Sequence, residues 1–407
     1  MPDIKDYVSI IGKEKIDDLC FLAEKLTDMS ILNINSTAVG GGVAEILSRM
    51  VPLLRQLGVN AKWDVIKGDE KFFNITKKMH NALHGVDVTI TKDDFEYFIE
   101  VNRTNAEEMD LSSDIFFVHD PQPIALIDKK KKVKGKWAWR CHIDFTNPRR
   151  EVIEFLKSYI RKYDSTIFSA PAFARKDIKV PQVLISPSID PLSDKNKELP
   201  EETIDKVLEK FKIDRDRPIV TQISRFDYLK DPLGVIRVYK KVKKYIDCQL
   251  VLAGGGATDD PEGMQVLNEV RDAASNDKDI HIIFLPPGSD IEINAIQRAS
   301  TVILQKSLKE GFGLTVAEAL WKSKPVIASA VGGIPLQITH KYSGILTYSI
   351  DGTFHFLKEL LNEPEYAKKL AKNGHEHAKN NFLITRHLRE YLLLFLSLSH
   401  KEDIVYL

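Results

Sequence analysis

At 407 residues the chain exceeds what one ordinary core accommodates; roughly 150 residues per domain points to two or three domains, with two α/β domains expected. Lysine plus arginine equals aspartate plus glutamate at 58 each, so the formal net charge is zero and no global field draws nucleic acid or an anionic membrane. Any anion site has to be local. Cys20, Cys141 and Cys248 are scattered and odd in number, which fits neither a disulfide framework nor a Cys-x-x-Cys metal site and predicts a reducing cytoplasm.

The first residues, MPDIKDYVSIIGKEKIDDL, alternate charged and apolar positions and lack the basic start, apolar run and small-residue cleavage site of a secretory signal. "SILNINSTA" (30–38) predicts a strand, followed by "VGGGVAEILSRMVPLLRQLG", a glycine loop and a helix that Gly58 stops. "NAKWDVI", "DIFFVHD" (114–120), "KWAWRCHIDF" (136–145), "DSTIFSA" and "PQVLISPSI" continue as strands. The polar, proline-bearing stretch 190–218 predicts a linker that leads into a charged helix.

A second α/β series follows, with strands in "PIVTQISRF", "CQLVLAGGG", "IHIIFLPP", "TVILQKS", "PVIASAVGG" and "GILTYS" and helices between them. The last helix, "ITRHLREYLLLFLSLSH", is long enough to cross back to the first domain. Its "LLLFL" run (392–396) falls well short of the roughly 20 residues of a membrane span, so a soluble protein is expected. Strands alternating with helices imply parallel sheets, with functional residues at the strands' C-terminal ends.

Several stretches carry residues suited to chemistry. The run Gly40, Gly41, Gly42 lies between a strand and a helix, where a missing Cβ lets backbone amides approach a phosphate. It does not match the G-x-G-x-x-G of dinucleotide-binding oxidoreductases, although Asp64 lies at about the right distance for a ribose contact; a tight structural turn is the other reading. "SRFDYLKDP" places Arg225 and Lys230 just beyond a strand, where a forked guanidinium and a compact ammonium suit a diphosphate.

His142 and Asp144 end one very apolar strand, as His119 and Asp120 end another. The competing reading for a lone buried histidine is a hydrogen-bonded core residue. "AGGGATDDPEG" reads as a turn, since Asp259 and Asp260 repel phosphate. Asp214 and Asp216 form an Asp-x-Asp pattern in the linker, where a solvated turn is favoured over a metal site. Lys129 to Lys132 read as an exposed loop. No clustered histidine or cysteine set with zinc spacing is present.

"KEGFGLTVAEALW" (309–321) sets Glu310 and Glu318 eight positions apart around a glycine-broken turn. With Arg225, Lys230, the N-terminal glycine run and "PVIASAVGGIPLQI", this order and spacing resembles the retaining glycosyltransferases of family 4 along nearly the whole chain. Within that family, "HDPQP", "WAWRCHID" and "SRFDYLKDP" are most similar to the trehalose glycosyltransferring synthases and the related trehalose phosphorylases.

The resemblance implies the GT-B fold, two Rossmann-like doubly wound domains facing a central cleft. Residues 1–205 would form the acceptor-side domain, with 382–407 packing back on it, and 206–381 the donor domain. It implies that Glu318 takes the ribose hydroxyls and Glu310 the hydroxyls of the donor sugar. Arg225 and Lys230 would hold the diphosphate, and Gly41 and Gly42 would let the N-terminal loop close over it. His142 would lie near the transferred sugar. The amides of Gly311, Phe312, Gly313 and Leu314, with Thr315 beside them, would face donor sugar and phosphate.

The implied reaction moves glucose from a nucleoside diphosphate glucose to free glucose, giving α,α-trehalose with retention. The implied chemistry needs no cofactor and is metal-independent or only metal-stimulated. The expected partners are the nucleotide-sugar donor and glucose, without nucleic acid or membrane; a homodimer stays open. The other readings are a phosphorylase using glucose 1-phosphate, a nucleotide-sugar binding protein without turnover, and the dehydrogenase that Asp64 would serve.

Overall fold

Short, continuously apolar strands bounded by polar turns are what a parallel sheet covered by helices on both faces requires. The computed structural model describes residues 2–39, 41–255, 261–275 and 277–399. They divide into two units, residues 1–188 with 384–407 and residues 189–383. The boundary expected at 205/206 therefore lies at 188/189. The polar stretch 190–218, expected as a linker, belongs to unit 2 together with its helix Glu201–Lys210.

Unit 1 carries six parallel strands: β1 (Ser30–Asn35), β2 (Asn60–Val65), β3 (Ile115–His119), β4 (Lys136–Cys141), β5 (Ser165–Phe168) and β6 (Gln182–Leu184). Their order is β2-β1-β3-β4-β5-β6, so the winding direction reverses between β1 and β3. Every residue of β3 is buried, including His119. The helix Ile384–Ser399 returns to this unit and lays Tyr391 and Phe395 edge-on against Phe117 of β3, with ring centroids 4.9 and 5.6 Å apart.

Unit 2 carries β7 (Ile219–Ile223), β8 (Gln249–Gly254), β9 (Ile280–Phe284), β10 (Val302–Gln305), β11 (Val326–Ser329) and β12 (Ile345–Thr347), again all parallel. Their order is β12-β11-β10-β7-β8-β9, and the reversal falls between β7 and β10. The period-2 alternation of a strand separates its two cores. Val220, Leu250 and Leu252 enter one cluster, and Ile219, Ile223, Val251 and Ala253 the other.

In an open α/β sheet, ligands bind outside the C-terminal strand ends at such a reversal, because the flanking loops diverge there and leave a crevice. Each unit offers one. No helix among the described residues is long and apolar enough to cross a membrane.

Candidate active site

In unit 2 the loops leaving β7 and β10 are knitted together. Gln222, near the end of β7, donates from Nε2 to the Lys230 carbonyl at 2.9 Å and accepts from the Lys306 amide at 2.8 Å. The Leu308 amide donates to the Leu229 carbonyl at 2.7 Å. Asp231, in the left-handed conformation at φ 46°, caps the helix Pro232–Val242 through the Gly234 amide and also pairs with the Lys306 ammonium.

These constraints bring Lys230 Nζ to 2.7 Å from Glu310 Oε2, with the side chains 17% and 11% exposed. Behind the pair runs a one-directional chain of donors. Thr315 Oγ1 donates to Gln305 Oε1 at 3.1 Å, Gln305 Nε2 to Ser307 Oγ at 2.9 Å, and Ser307 Oγ to Glu310 Oε2 at 3.2 Å. Because each hydroxyl and amide has one assigned role, the Glu310 carboxylate receives two donors and is held in one orientation.

The turn after Glu310 packs against a second glycine turn. A Cβ at Gly332, whose φ is +56°, would lie 1.6 Å from the Glu310 carbonyl oxygen, so only glycine fits. Gln337 Nε2 donates to the Phe312 carbonyl at 2.5 Å. The helix Leu314–Trp321 then starts at Gly313 with no side-chain cap; the Val316 amide of its first turn donates back to the Gly313 carbonyl at 2.9 Å, and that turn carries the positive end of the helix dipole.

Glu318 lies on that helix, 2% exposed. Gln297 Nε2 approaches its Oε2 at 3.5 Å, and Lys195 Nζ stands 4.0 Å from its Oε1. Lys322, one turn on, donates to Asn196 Oδ1 and Gln297 Oε1 at 2.8 Å each. Burial holds the Lys322 ammonium well below the ordinary lysine value, although the Glu318 charge opposes that shift. The two glutamates therefore sit in different environments, one against Lys230 and one in a buried amide and ammonium cluster.

In unit 1 the reversal between β1 and β3 carries a histidine relay. His119 Nε2 lies 3.2 Å from Asn33 Oδ1, and His119 Nδ1 lies 3.2 Å from His142 Nε2. Asn33 Nδ2 donates to the Lys62 carbonyl, which turns its oxygen toward His119. Burial first, and then the Arg140 charge, push both imidazoles well below the ordinary histidine value, so the pair is neutral. His119 then donates to Asn33, His142 Nε2–H donates to His119, and His142 Nδ1 is left as an acceptor.

Asp120, at φ 65°, accepts the His142 amide on Oδ1 at 2.8 Å, and burial raises its carboxyl from 3.8 to about 6. Asp144 holds a turn instead, accepting from the amide and hydroxyl of Thr146.

Other expected residues fall elsewhere. Arg225 is 61% exposed and reaches Asp227 at 3.4 Å rather than Glu310. Gly41 and Gly42 form the start of the helix Gly41–Gln56 beyond β1, whereas Gly40, Asp259 and Asp260 lie outside the described residues. Asp64 is exposed near the end of β2. Asp214 and Asp216 form a turn in which the Asp216 amide donates to Asp214 Oδ1 and the Asp214 backbone pairs with the Gln249 side chain. Lys129, Lys130 and Lys131 lie on a 3-10 helix rather than in a loop, with Lys130 paired to Asp164 at 2.9 Å.

Sequence reasoning missed Gln305, Ser307, Lys306, Lys195 and Lys322, which have no motif of their own. It also missed Arg140, fully buried on β4, whose Nη2 donates to the Ile185 carbonyl and whose guanidinium lies 5.4 Å from the Tyr391 ring centre. A charged residue within the otherwise apolar "WAWRC" was the available signal.

Two doubly wound units with a basic residue, a carboxylate and a bare helix N-terminus at one sheet reversal define a GT-B glycosyltransferase. The fold matches the solved sucrose-phosphate synthase from Thermosynechococcus elongatus with a TM-score of 0.73 at 16% identity, over 92% of this chain and all of that one. It likewise matches the UDP-forming α,α-trehalose-phosphate synthase from Burkholderia xenovorans, solved in complex with glucose-6-phosphate, with a TM-score of 0.73 at 14% identity, over 90% of this chain and all of that one.

The family description "Trehalose synthase, N-terminal domain" matches residues 33–175, and "Glycosyl transferases group 1" matches residues 203–377. Trehalose synthase from Pyrococcus horikoshii is 46% identical over 97% of this chain and 96% of its own length. That from Rubrobacter xylanophilus is 44% identical over 97% of both. Trehalose phosphorylase from Pleurotus pulmonarius is 29% identical over 99% of this chain but 62% of its own length. The chain belongs to the trehalose synthase family, and it is a hexosyltransferase.

Proposed function

We propose that this enzyme transfers glucose from a nucleoside diphosphate glucose to free glucose, forming α,α-trehalose and nucleoside diphosphate with retention at the transferred carbon. The observation that carries this reading is the meeting of Lys230 and Glu310 beside the uncapped helix that bears Glu318. Three parts of one long ligand need three different partners, and this loop and helix supply them. Glu318 takes ribose hydroxyls, Lys230 and Arg225 take the diphosphate, and Glu310 takes donor-sugar hydroxyls. The amides from Gly311 to Leu314, with Thr315 beside them, face the sugar and phosphate.

Breaking the bond between the anomeric carbon and the phosphate oxygen develops positive charge on carbon and negative charge on the leaving diphosphate. Fixed cations and helix amides aimed at that anion lower the barrier. The acceptor hydroxyl attacks on the same face, and its proton passes to the departing phosphate oxygen. His142, neutral and with Nδ1 open as an acceptor, orients a sugar hydroxyl. With Lys230, Arg225 and the helix dipole stabilising the diphosphate, the reaction proceeds without a bound metal.

The likeness to full-length trehalose synthases at 44 to 46% identity, against 29% to a phosphorylase, supports the nucleotide donor. The test is a panel of UDP-, ADP- and GDP-glucose and glucose 1-phosphate, each with glucose and excess chelator, scored for disaccharide. Disaccharide from at least one nucleotide sugar is expected. Disaccharide from glucose 1-phosphate alone would make the enzyme a phosphorylase, and activity restored only by magnesium or manganese would refute the metal-free step.

A further inference from the structure

The histidine relay of unit 1 starts from an atom that can only accept. The Lys62 carbonyl on β2 receives Asn33 Nδ2 at 3.2 Å, so the amide of Asn33 on β1 cannot turn over: reversed, it would set its own oxygen against the carbonyl oxygen. Asn33 Oδ1 is thereby committed to His119 Nε2, 3.2 Å away at the end of β3. Asn33 and His119 are each 1% exposed, and the Asn33 oxygen and both His119 nitrogens are engaged in the relay.

His119 Nδ1 meets His142 Nε2 at 3.2 Å, with ring centroids 5.5 Å and ring planes 22° apart. That centroid separation is near the largest that a 3.2 Å contact between ring nitrogens permits, so the imidazoles meet edge to edge, as an N–H···N bond requires. Arg140 is the register partner of His119 on β4 and is fully buried, so a second positive charge is disfavoured there and the pair stays neutral. A neutral imidazole carries one N–H, and each assignment then forces the next. His119 holds its proton on Nε2, facing Asn33, its Nδ1 accepts from His142 Nε2–H, and His142, half-buried, offers Nδ1 as an acceptor.

We propose that Asn33 is a positioning residue: through His119 it fixes His142 as a hydrogen-bond acceptor, and His142 accepts from a hydroxyl of the transferred glucose. The second half rests on the reading of His142 as the residue near that sugar. A hydroxyl can donate or accept. Against a committed acceptor it has to donate, so the direction of its proton is set by the Lys62 carbonyl at the far end of the relay. Asn33→Leu keeps a branched side chain and removes both contacts. The buried His119 N–H then loses its acceptor, and the pair relieves this by reversing: His119 Nδ1–H donates to His142 Nε2, and the His142 proton moves to Nδ1.

Protein labelled with ¹⁵N-histidine is read by NMR at neutral pH, the His142 signals being assigned by their absence in His142→Gln. Wild type should show a pyridine-type Nδ1 and a protonated, pyrrole-type Nε2 at His142. Asn33→Leu, or Asn33→Ala where the leucine variant does not fold, should move that proton to Nδ1. A reversed or mixed pattern in wild type overturns the proposal, as does an unchanged pattern in the folded variant. Transfer by the variant, with whichever of UDP-, ADP- or GDP-glucose wild type uses best, should fall about 10-fold or more, while calorimetric affinity for the matching diphosphate stays at the wild-type value. A variant whose proton moves while its transfer is unchanged overturns the second half alone: the relay stands, and His142 does not hold the sugar.

Discussion

Lys230 and Glu310, eighty positions apart in sequence, meet at 2.7 Å because the reversal between β7 and β10 delivers both loops to the same place. The contact joins an ammonium suited to a phosphate and a carboxylate suited to a sugar. Each orients the other, and the Ser307 hydroxyl shares the load on Glu310 Oε2. Replacing Lys230 by alanine removes the cation proposed to face the leaving group. Turnover should fall about a hundred- to thousandfold, the cost of one lost transition-state donor of about 2.7 to 4 kcal/mol. Steady-state kinetics near wild type would remove Lys230 from the mechanism.

Glu310 and Glu318 should separate cleanly in substitution. Glu318→Gln keeps the volume of a 2% exposed side chain but loses its charge, and it should weaken nucleoside diphosphate binding about tenfold or more. Glu310→Gln should leave that affinity near wild type and impair transfer. Calorimetry and kinetics giving the opposite pattern would exchange the two roles.

Gly332 tests the backbone behind Glu310. A Cβ there would overlap the Glu310 carbonyl at 1.6 Å, and φ is positive, so Gly332→Ala has to displace the turn. Strain of about 1 to 3 kcal/mol should appear as a lowered melting temperature. Transfer should fall about a hundredfold, as a displacement near 1 Å at a reacting group produces. An alanine variant equal to wild type in both would show that the turn position is not critical.

Much of the sheet scaffold is legible in the sequence, because strands buried on both faces read as unbroken apolar runs; "DIFFVHD" and "TVILQKS" mark β3 and β10 to within one or two residues. The resemblance assigns Lys230 and Glu310 to different parts of one donor, but their direct ion pair is not legible in the sequence, since nothing local relates loops so far apart. Residues 190–198 read as linker because composition reports polarity and not what the polarity bonds to, and here Asp190, Ser193 and Asn196 bond within the loop itself. Lys195 and Lys322 acquire their surroundings only when the loop and two helices converge. Arg225 carries its charge to Asp227, a geometry that spacing alone does not specify.

The acid-side stability profile offers a check on unit 1. Burial raises the folded-state value of Asp120 from 3.8 to about 6, so between those values the folded protein keeps a proton that the unfolded chain has released. Stability attributable to Asp120 is therefore present at low pH, falls as pH climbs from 3.8 to about 6, and stays lost above. Asparagine tolerates the left-handed backbone and still accepts the His142 amide, so Asp120→Asn should lack this fall. Measured as the difference in melting temperature between the two proteins, the variant should gain on wild type across that window. A difference flat with pH would show that the carboxyl titrates normally.

The central claim is tested most directly by incubating the enzyme with a nucleoside diphosphate [1-¹³C]glucose and unlabelled glucose, and reading the products by NMR. The account predicts trehalose labelled at one of its two anomeric carbons, with α configuration at both, and one nucleoside diphosphate released per disaccharide. Labelled free glucose without disaccharide, or label incorporated only when the donor is glucose 1-phosphate, would contradict it.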